Sequence, residues 1–283
     1  MPEIVEIESW NGAAEPHALE ALEDGSILFS PNLSFQLSEH ERARFMTPEV
    51  VKQPRKHAGR ARIIYEPGAK KTRRTTLEGA EREEMETMMA RFTAWAKGLV
   101  EGLLPSYVPA LELGPATFRV CPRTGVQGLH VDSFFFLPTE GRRILRLFCN
   151  VNPIGLARQW QLGREPFEPF ARRYLPRVGA AVPGSGWLLQ RLGVTERRRT
   201  AYDHTMRWLR ALAKRDPQYR RSGDMVDFPS GSTWLVYTDS VLHGAAAGHY
   251  AFEQTFLLPV EAMADPAKSP LRILERLRGR SLA

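Results

Sequence analysis

Residues 128–153 read GLHVDSFFFLPTEGRRILRLFCNVNP. Short runs of Val, Ile, Leu and Phe, cut by Pro138, Gly141 and Pro153, have the texture of strands joined by turns, with 138–141 as one such turn. Inside the first run, His130 and Asp132 stand two residues apart. Along extended chain the side chains of i and i+2 project to the same face, so an imidazole and a carboxylate converge on one point. They are two of the three donors of a 2-His-1-carboxylate facial triad, which leaves open positions on an octahedral iron for substrate and oxygen.

The missing donor must come from a distant strand. His243 lies 111 residues beyond Asp132, at the end of GSTWLVYTDSVLHG (231–244), which reads as a strand closing on a glycine. His249 is close behind, but it follows Gly248 in what reads as a hairpin turn, so His243 is the preferred third ligand.

The neighbouring text has the same strand character, in ATFRVCP (116–122) and HYAFEQTFLLP (249–259). Helix-like text over about 167–221 interrupts the strands, and its segment TAYDHTMRWLRALAKRD carries Tyr202, Met206, Leu209 and Leu212 on one face. Toward the N-terminus, Ser38 and Glu41 form a capping-box pattern that starts a helix after a short strand and a Pro-Asn turn. Thr75 and Glu78 repeat the pattern before a long amphipathic helix whose stripe includes Met85, Met88, Met89, Phe92, Trp95, Leu99 and Leu103. A methionine stripe can mark an adaptable binding groove, but at this spacing it reads as core and receives no function. The first ten or so residues are expected to be mobile. The basic stretch 52–74 is expected to be mainly surface loop, with a possible strand at 63–65, and SPLRILERLRGR (269–280) to be a short basic helix.

An early helical block, strands, a helical insertion and more strands suggest one domain built as a β-sandwich or barrel buttressed by helices. Strands and helices do not alternate regularly, and no GxGxxG or GxxxxGK string follows a strand, so a parallel nucleotide-binding sheet fits poorly. The 283 residues are 43% hydrophobic and 25% charged, ordinary values for a folded chain. No apolar run approaches a membrane span, and no basic, apolar leader opens the sequence, so neither a transmembrane segment nor a signal peptide is expected. The two cysteines, Cys121 and Cys149, make neither a disulfide framework nor a thiolate clip, which suits a reducing cytoplasm.

Net charge is +7, and 32 of the 39 basic residues are arginine, the cation suited to bidentate pairing with carboxylates and phosphates. An anionic partner is one reading, and genomic base composition is another. Arginine clusters at 172, 173 and 177, at 197–199, at 220 and 221 and from 272 to 280 suggest peripheral contact with an anionic membrane, or simply solvated helix faces. No nucleic-acid motif is present, so none is expected as a partner.

The HxD pair, the long gap and the later histidine resemble the iron(II) and 2-oxoglutarate dependent oxygenases. Residues 128–153, AYDHTMRWLRALAKRD (201–216), DFPSGSTWLVYTDSVLHGAAAGHYAFEQTFLLP (227–259) and LFSPNLSFQLSEHERARF (28–45) are similar to the Kdo 3-hydroxylases, a likeness spanning most of 27–260. It implies an α+β fold with a double-stranded β-helix (jelly-roll or cupin-like) core buttressed by helices. The single domain 1–283 would comprise N-terminal support (1–115), the core (116–260, with its insertion at about 167–221) and a basic C-terminal helix (261–283). The implied reaction is hydroxylation of carbon 3 of the Kdo sugar of Kdo-lipid A to give Ko, with Fe(II), 2-oxoglutarate and O2. His130, Asp132 and His243 would hold the iron.

Many of these oxygenases grip 2-oxoglutarate with an arginine about ten residues after the second histidine, where this chain has Glu253. Arg146, fourteen residues after Asp132, is the candidate replacement. Strand parity sets Asn150 on its face, with Leu145, Leu147, Cys149 and Val151 on the other. Gln127, Arg119, Arg123, Arg142 and Arg143 are the candidates for touching an anionic sugar lipid. The expected place of action is the cytoplasm, at the inner membrane's cytoplasmic face. Two rival readings are an oxygenase acting on another anionic sugar or lipid, and a non-catalytic basic protein that binds membrane or nucleic acid.

Overall fold

The computed structural model describes residues 1–8, 10, 16–52, 61–120, 128–219 and 222–283. The N-terminal part runs β1 (Ile4–Glu6), α1 (Pro16–Glu23), β2 (Ile27–Ser30), α2 (Glu39–Phe45), β3 (Ile63–Glu66), β4 (Lys71–Arg73) and the long α3 (Gly79–Leu103). Strands β5 (Glu112–Arg119), β6 (Arg143–Asn150) and β7 (Arg158–Leu162) follow, then the helices α4 (Phe167–Tyr174), α5 (Ser185–Arg191) and α6 (Ala201–Arg215). The chain closes with β8 (Asp224–Phe228), β9 (Thr233–Tyr237), β10 (His243–Ala247), β11 (Ala251–Leu258) and α7 (Pro270–Arg278).

The strands form an eight-stranded sheet, ordered β1-β2-β9-β6-β11-β5-β3-β4, and a three-stranded sheet, β10-β7-β8. Apart from β1 with β2, every pairing is antiparallel. Period-two alternation divides the labour of the large sheet. Phe118 of β5 and Phe252 of β11 stack at 4.3 Å, and Phe92 of α3 stacks on Phe252 at 4.7 Å, so this face buries the stripe of α3. Met85, Met88 and Met89 are fully buried there, as core. The opposite face turns to the small sheet. Phe148 of β6 meets Trp160 of β7 edge-on at 4.8 Å and stacks on Trp234 of β9 at 5.3 Å, while Trp234 stacks on Phe228 of β8 at 4.1 Å. This aromatic wedge joins the sheets of the double-stranded β-helix, and the helices buttress it, as the α+β reading expected.

Several local expectations change. The described residues of the opening are tied to the fold: β1 pairs in register with β2, the Ile7 amide donates to Phe29 O at 2.7 Å, and Ile7 and Trp10 are buried. The stretch expected as surface loop contains the β3–β4 hairpin, held by Glu86 of α3, whose Oε1 accepts from the Thr72 amide at 2.8 Å and its hydroxyl at 3.1 Å. Residues 53–60 of that stretch lie outside the described residues. Ser38 and Glu41 form the capping box of α2. Thr75 does not cap α3, because its hydroxyl donates to Val50 O and accepts from Leu77 N, and the helix starts after Glu78.

The text GSTWLVYTDSVLHG is two strands in different sheets. Tyr237 O accepts from the Val241 amide at 3.0 Å, forming a turn that moves the chain across, so His243 opens β10 rather than closing a strand. Strands β7 and β8, RQWQL and DMVDF, escape a pattern reading because polar residues occupy three of the five positions in the first and two of the five in the second. No helix among the described residues is long and apolar enough to cross a membrane.

Candidate metal centre and anion cavity

His130 and His243 exchange both backbone hydrogen bonds of an isolated antiparallel bridge, each at 3.0 Å. The Asp132 amide donates to Thr238 O at 2.7 Å. The 130–132 segment is thus extended but belongs to no regular strand, and the i, i+2 geometry survives without a full ladder. Gly244 explains the His-Gly pair: a Cβ there would meet Gly128 O at 2.9 Å, so only a glycine lets the two histidine segments approach so closely.

The ligand atoms of His130, Asp132 and His243 lie within 4.8 Å of one another, and all three residues are buried. His130 Nε2 is 3.8 Å from Asp132 Oδ1, and His243 Nε2 is 3.9 Å from Oδ2. Each imidazole uses its other nitrogen to donate to a carbonyl, His130 Nδ1 to Gly128 O at 3.0 Å and His243 Nδ1 to Val241 O at 2.9 Å. Those bonds select the tautomer that leaves Nε2 as a lone pair. Trp160 stacks on the His243 ring at 5.1 Å.

Burial, then the neighbouring His243, Arg210 and Lys214, holds His130 well below the usual imidazole value; burial also lowers His243. Both are neutral donors near pH 7. Burial alone would raise the Asp132 carboxyl, but Arg146, His243 and Arg210 outweigh it and hold it below the usual carboxylate range. Asp132 Oδ2 lies 3.0 Å from Arg146 Nη1, yet no group meets it in hydrogen-bond geometry among the described residues. Two neutral imidazoles with oriented lone pairs and an ionised carboxylate with a spare oxygen fit a divalent, oxygen-reactive metal.

The centre faces a cavity of about 260 Å³. Its walls carry six cations, Arg62, Arg119, Arg146, Arg158, Arg210 and Lys214, against two acids, Asp132 and Glu253. Arg146 Nη1 is 2.6 Å from Glu253 Oε1, and Arg119 Nε is 2.8 Å from Oε2. The buried Nε of Arg146 has no acceptor among the described residues. The Arg210 guanidinium lies 3.8 Å from Asp132 Oδ1 and donates to Ser133 O at 2.7 Å. The two carboxylate oxygens of Asp132 therefore face different cations, Arg146 and Arg210.

Of the anticipated residues, the structure brings together His130, Asp132, His243, Arg146 and Arg119. It leaves out Asn150, whose amide donates to Leu156 O and Phe228 O at 3.0 Å each while its oxygen accepts from Asn152 N. Those bonds consume it in the turn after β6. Arg143 is also a correction: it is fully buried on the other face of β6, with Asp239 at 2.9 Å, and its guanidinium lies 3.7 Å over the Tyr237 ring. Arg142 pairs with Glu112 at 2.9 Å and Glu140 at 3.0 Å, away from the cavity. Gln127 and Arg123 lie outside the described residues. His249 packs its ring at a tilt against Tyr250 and is not in the metal cluster.

Sequence reasoning missed Arg62, Arg158, Arg210 and Lys214. The signals were faint but physical. Arg158 shares strand parity with Trp160, and Arg210 and Lys214 are an i, i+4 pair on α6.

The family model of the 3-deoxy-D-manno-oct-2-ulosonic acid (Kdo) hydroxylases matches residues 8–281. The solved structure of the Kdo hydroxylase KdoO, a non-haem Fe(II) α-ketoglutarate dependent dioxygenase, in complex with α-ketoglutarate and Fe(III) is 33% identical. The match covers 99% of this chain and 97% of that one, with a TM-score of 0.90. KdoO in complex with cobalt(II) matches at 34% identity over the same shares, with a TM-score of 0.89. No curated protein sequence matches the chain. With the family's pattern running over nearly the whole sequence and a fold shared end to end, this chain belongs to the Kdo hydroxylase family.

Proposed function

We propose that this chain is an Fe(II)/2-oxoglutarate/O2-dependent hydroxylase acting on carbon 3 of a Kdo sugar carried by a lipid A precursor, converting Kdo to Ko. The observation that carries the reading is the convergence of His130, Asp132 and His243 on one point of a cation-walled cavity. Iron bound there supplies the anchor for the keto acid end of 2-oxoglutarate and the activation of dioxygen. The rest falls to the protein. His130 and His243 present fixed lone pairs, and the buried Asp132 supplies the anionic ligand.

Two anions must be held at once, and the cavity has cations on both sides of Asp132. Arg146, with its unsatisfied Nε and with Arg119 beside it, takes a carboxylate of 2-oxoglutarate. Arg210 and Lys214, a turn apart on α6, take the carboxylate of the sugar acid. A lipid-borne substrate supports peripheral work at a membrane surface, which we place at the cytoplasmic face of the inner membrane.

The test is to load purified protein with Fe(II) anaerobically, add Kdo-bearing lipid A precursor, 2-oxoglutarate and air, and look by mass spectrometry for one added oxygen on the Kdo ring. A product that requires both iron and 2-oxoglutarate supports the reading. Succinate formed without hydroxylated Kdo would retain the oxygenase and remove the substrate.

A further inference from the structure

We propose that α5 and the adjoining Phe135 and Phe136 form an interfacial anchor that inserts into an anionic lipid surface and sets the cavity against the headgroups. This rests on the reading above that the sugar is presented on a lipid.

Helix α5 has no buried residue. Trp187 is 56% exposed, Leu188 50% and Leu192, just past its end, 66%. At 100° per residue, Trp187, Leu188, Arg191 and Leu192 fall within one arc of about 140°, an apolar face that nothing in the chain covers among the described residues. Arg191 lies 5.5 Å over the Trp187 ring, an amphipathic pairing suited to a membrane interface.

This ridge connects to the metal centre through a short chain of contacts. Gly186 of α5 packs on the Arg199 backbone with no room for a Cβ. Arg199 donates to Phe135 O at 3.0 Å and its guanidinium lies 4.8 Å over the Phe135 ring, with Arg207 at 4.1 Å. Glu196 N donates to Phe136 O at 2.8 Å. Phe136 is itself 62% exposed, and two residues earlier Phe134 lines the cavity. The exposed apolar groups and the cavity wall are thus parts of one segment, 132–136, braced against α5 and α6.

Charge complementarity selects a membrane as the occupant. Among the described residues, Arg191, Arg198, Arg199, Arg207 and Arg215 have no carboxylate within ion-pair distance. By contrast, Arg172 and Arg276 share Glu168, Arg173 pairs with Glu165, and Arg272 pairs with Glu261 and Glu275. Arg197 is held by Glu112, but Arg191, Arg198, Arg199, Arg207 and Arg215 stand without a carboxylate beside an apolar ridge, the combination that binds anionic bilayers.

The experiment uses the full-length protein and the double variant Trp187→Ser/Leu188→Ser, with Trp187→Phe as the conservative control. Co-sedimentation is measured with phosphatidylglycerol/phosphatidylethanolamine vesicles and with phosphatidylcholine vesicles. Hydroxylation is measured on Kdo-lipid embedded in vesicles and on a water-soluble Kdo glycoside. The proposal expects the wild type to prefer the anionic vesicles, the double variant to lose about tenfold in partitioning and in rate on the embedded substrate, and Trp187→Phe to keep both. It expects all three proteins to be equal on the soluble glycoside. Double-variant binding equal to wild type, or no binding of any vesicle by the wild type, would overturn the anchor. A wild type that binds anionic vesicles but hydroxylates neither substrate would fault the substrate reading, while the loss of binding in the double variant would still support the anchor.

Discussion

Arg146 and Glu253 are diagonal neighbours on adjacent strands, their charged atoms 2.6 Å apart and both side chains largely buried beside the metal centre. Glu253 occupies the position where the family resemblance led one to look for the 2-oxoglutarate arginine. The cation stands one strand away, and the glutamate holds it together with Arg119. Burial alone would raise the Glu253 carboxyl, but Arg119 and Arg146 outweigh it and hold it below the usual carboxylate range.

Glu253→Gln leaves buried guanidiniums without their counter-charge, a loss of roughly 3–5 kcal/mol for breaking a buried pair. In a chain of this size that lowers Tm by roughly 5–8 °C. 2-Oxoglutarate, by supplying a carboxylate, should raise the variant's Tm more than the wild type's. The depressed folded value also fixes the pH dependence. The stabilisation is complete above the unfolded carboxyl value near pH 4 and is lost as pH falls below it, so the gap in stability narrows in acid. Denaturant titrations at pH 7 and about pH 3 check this, and a gap that widens in acid would contradict it.

The cavity's two cationic sides predict opposite kinetic signatures. Arg146→Ala should raise KM for 2-oxoglutarate by about tenfold to a hundredfold while moving KM for the sugar lipid little. Lys214→Ala should do the reverse, more weakly. Steady-state kinetics with each substrate varied would show the crossing, and equal effects on both KM values in either variant would remove its assigned role.

The preference for His243 over His249 makes a third contrast. His243→Ala should abolish stoichiometric Fe(II) or Co(II) binding and reduce turnover at least about a hundredfold, because the metal loses one of three protein ligands. His249→Ala should leave metal content intact, since its ring packs on Tyr250 outside the cluster. Metal analysis after gel filtration reads both.

Arg143, expected at the mouth, should behave as a structural residue. Arg143→Ala strands Asp239, which is 1% exposed, and should cost roughly 3–5 kcal/mol of stability with both KM values unchanged in the folded fraction. A rise in KM for the sugar lipid without loss of Tm would return it to the substrate site.

The two imidazoles and the carboxylate were legible because their chemistry is local: i, i+2 parity pairs His130 with Asp132, and a His-Gly at a strand boundary marks the third donor. Arg146 was legible for the same reason, as a charge on the face of an otherwise apolar strand. Asn150 failed because parity fixes a face and not a position along it, and a carbonyl six residues on claimed its amide. Arg143 failed because a buried aspartate from a distant turn neutralises it, and that contact, 96 residues away, leaves no trace in local spacing. Arg158, Arg210 and Lys214 reach the cavity from β7 and α6, and only the packing of the small sheet and the helical insertion brings them there. The division of one apolar run into β9 and β10 was hidden by the same limit, since a tight turn at 238–242 carries little Gly or Pro signal.

The most direct test of the account is hydroxylation under isotopically labelled dioxygen, with wild type and His243→Ala compared. The account predicts that the new hydroxyl on the Kdo ring carries one labelled oxygen, that succinate carries the other and forms in equal amount, and that His243→Ala yields neither. A ring hydroxyl whose oxygen comes from water, or labelled product from His243→Ala at the wild-type rate, would contradict it.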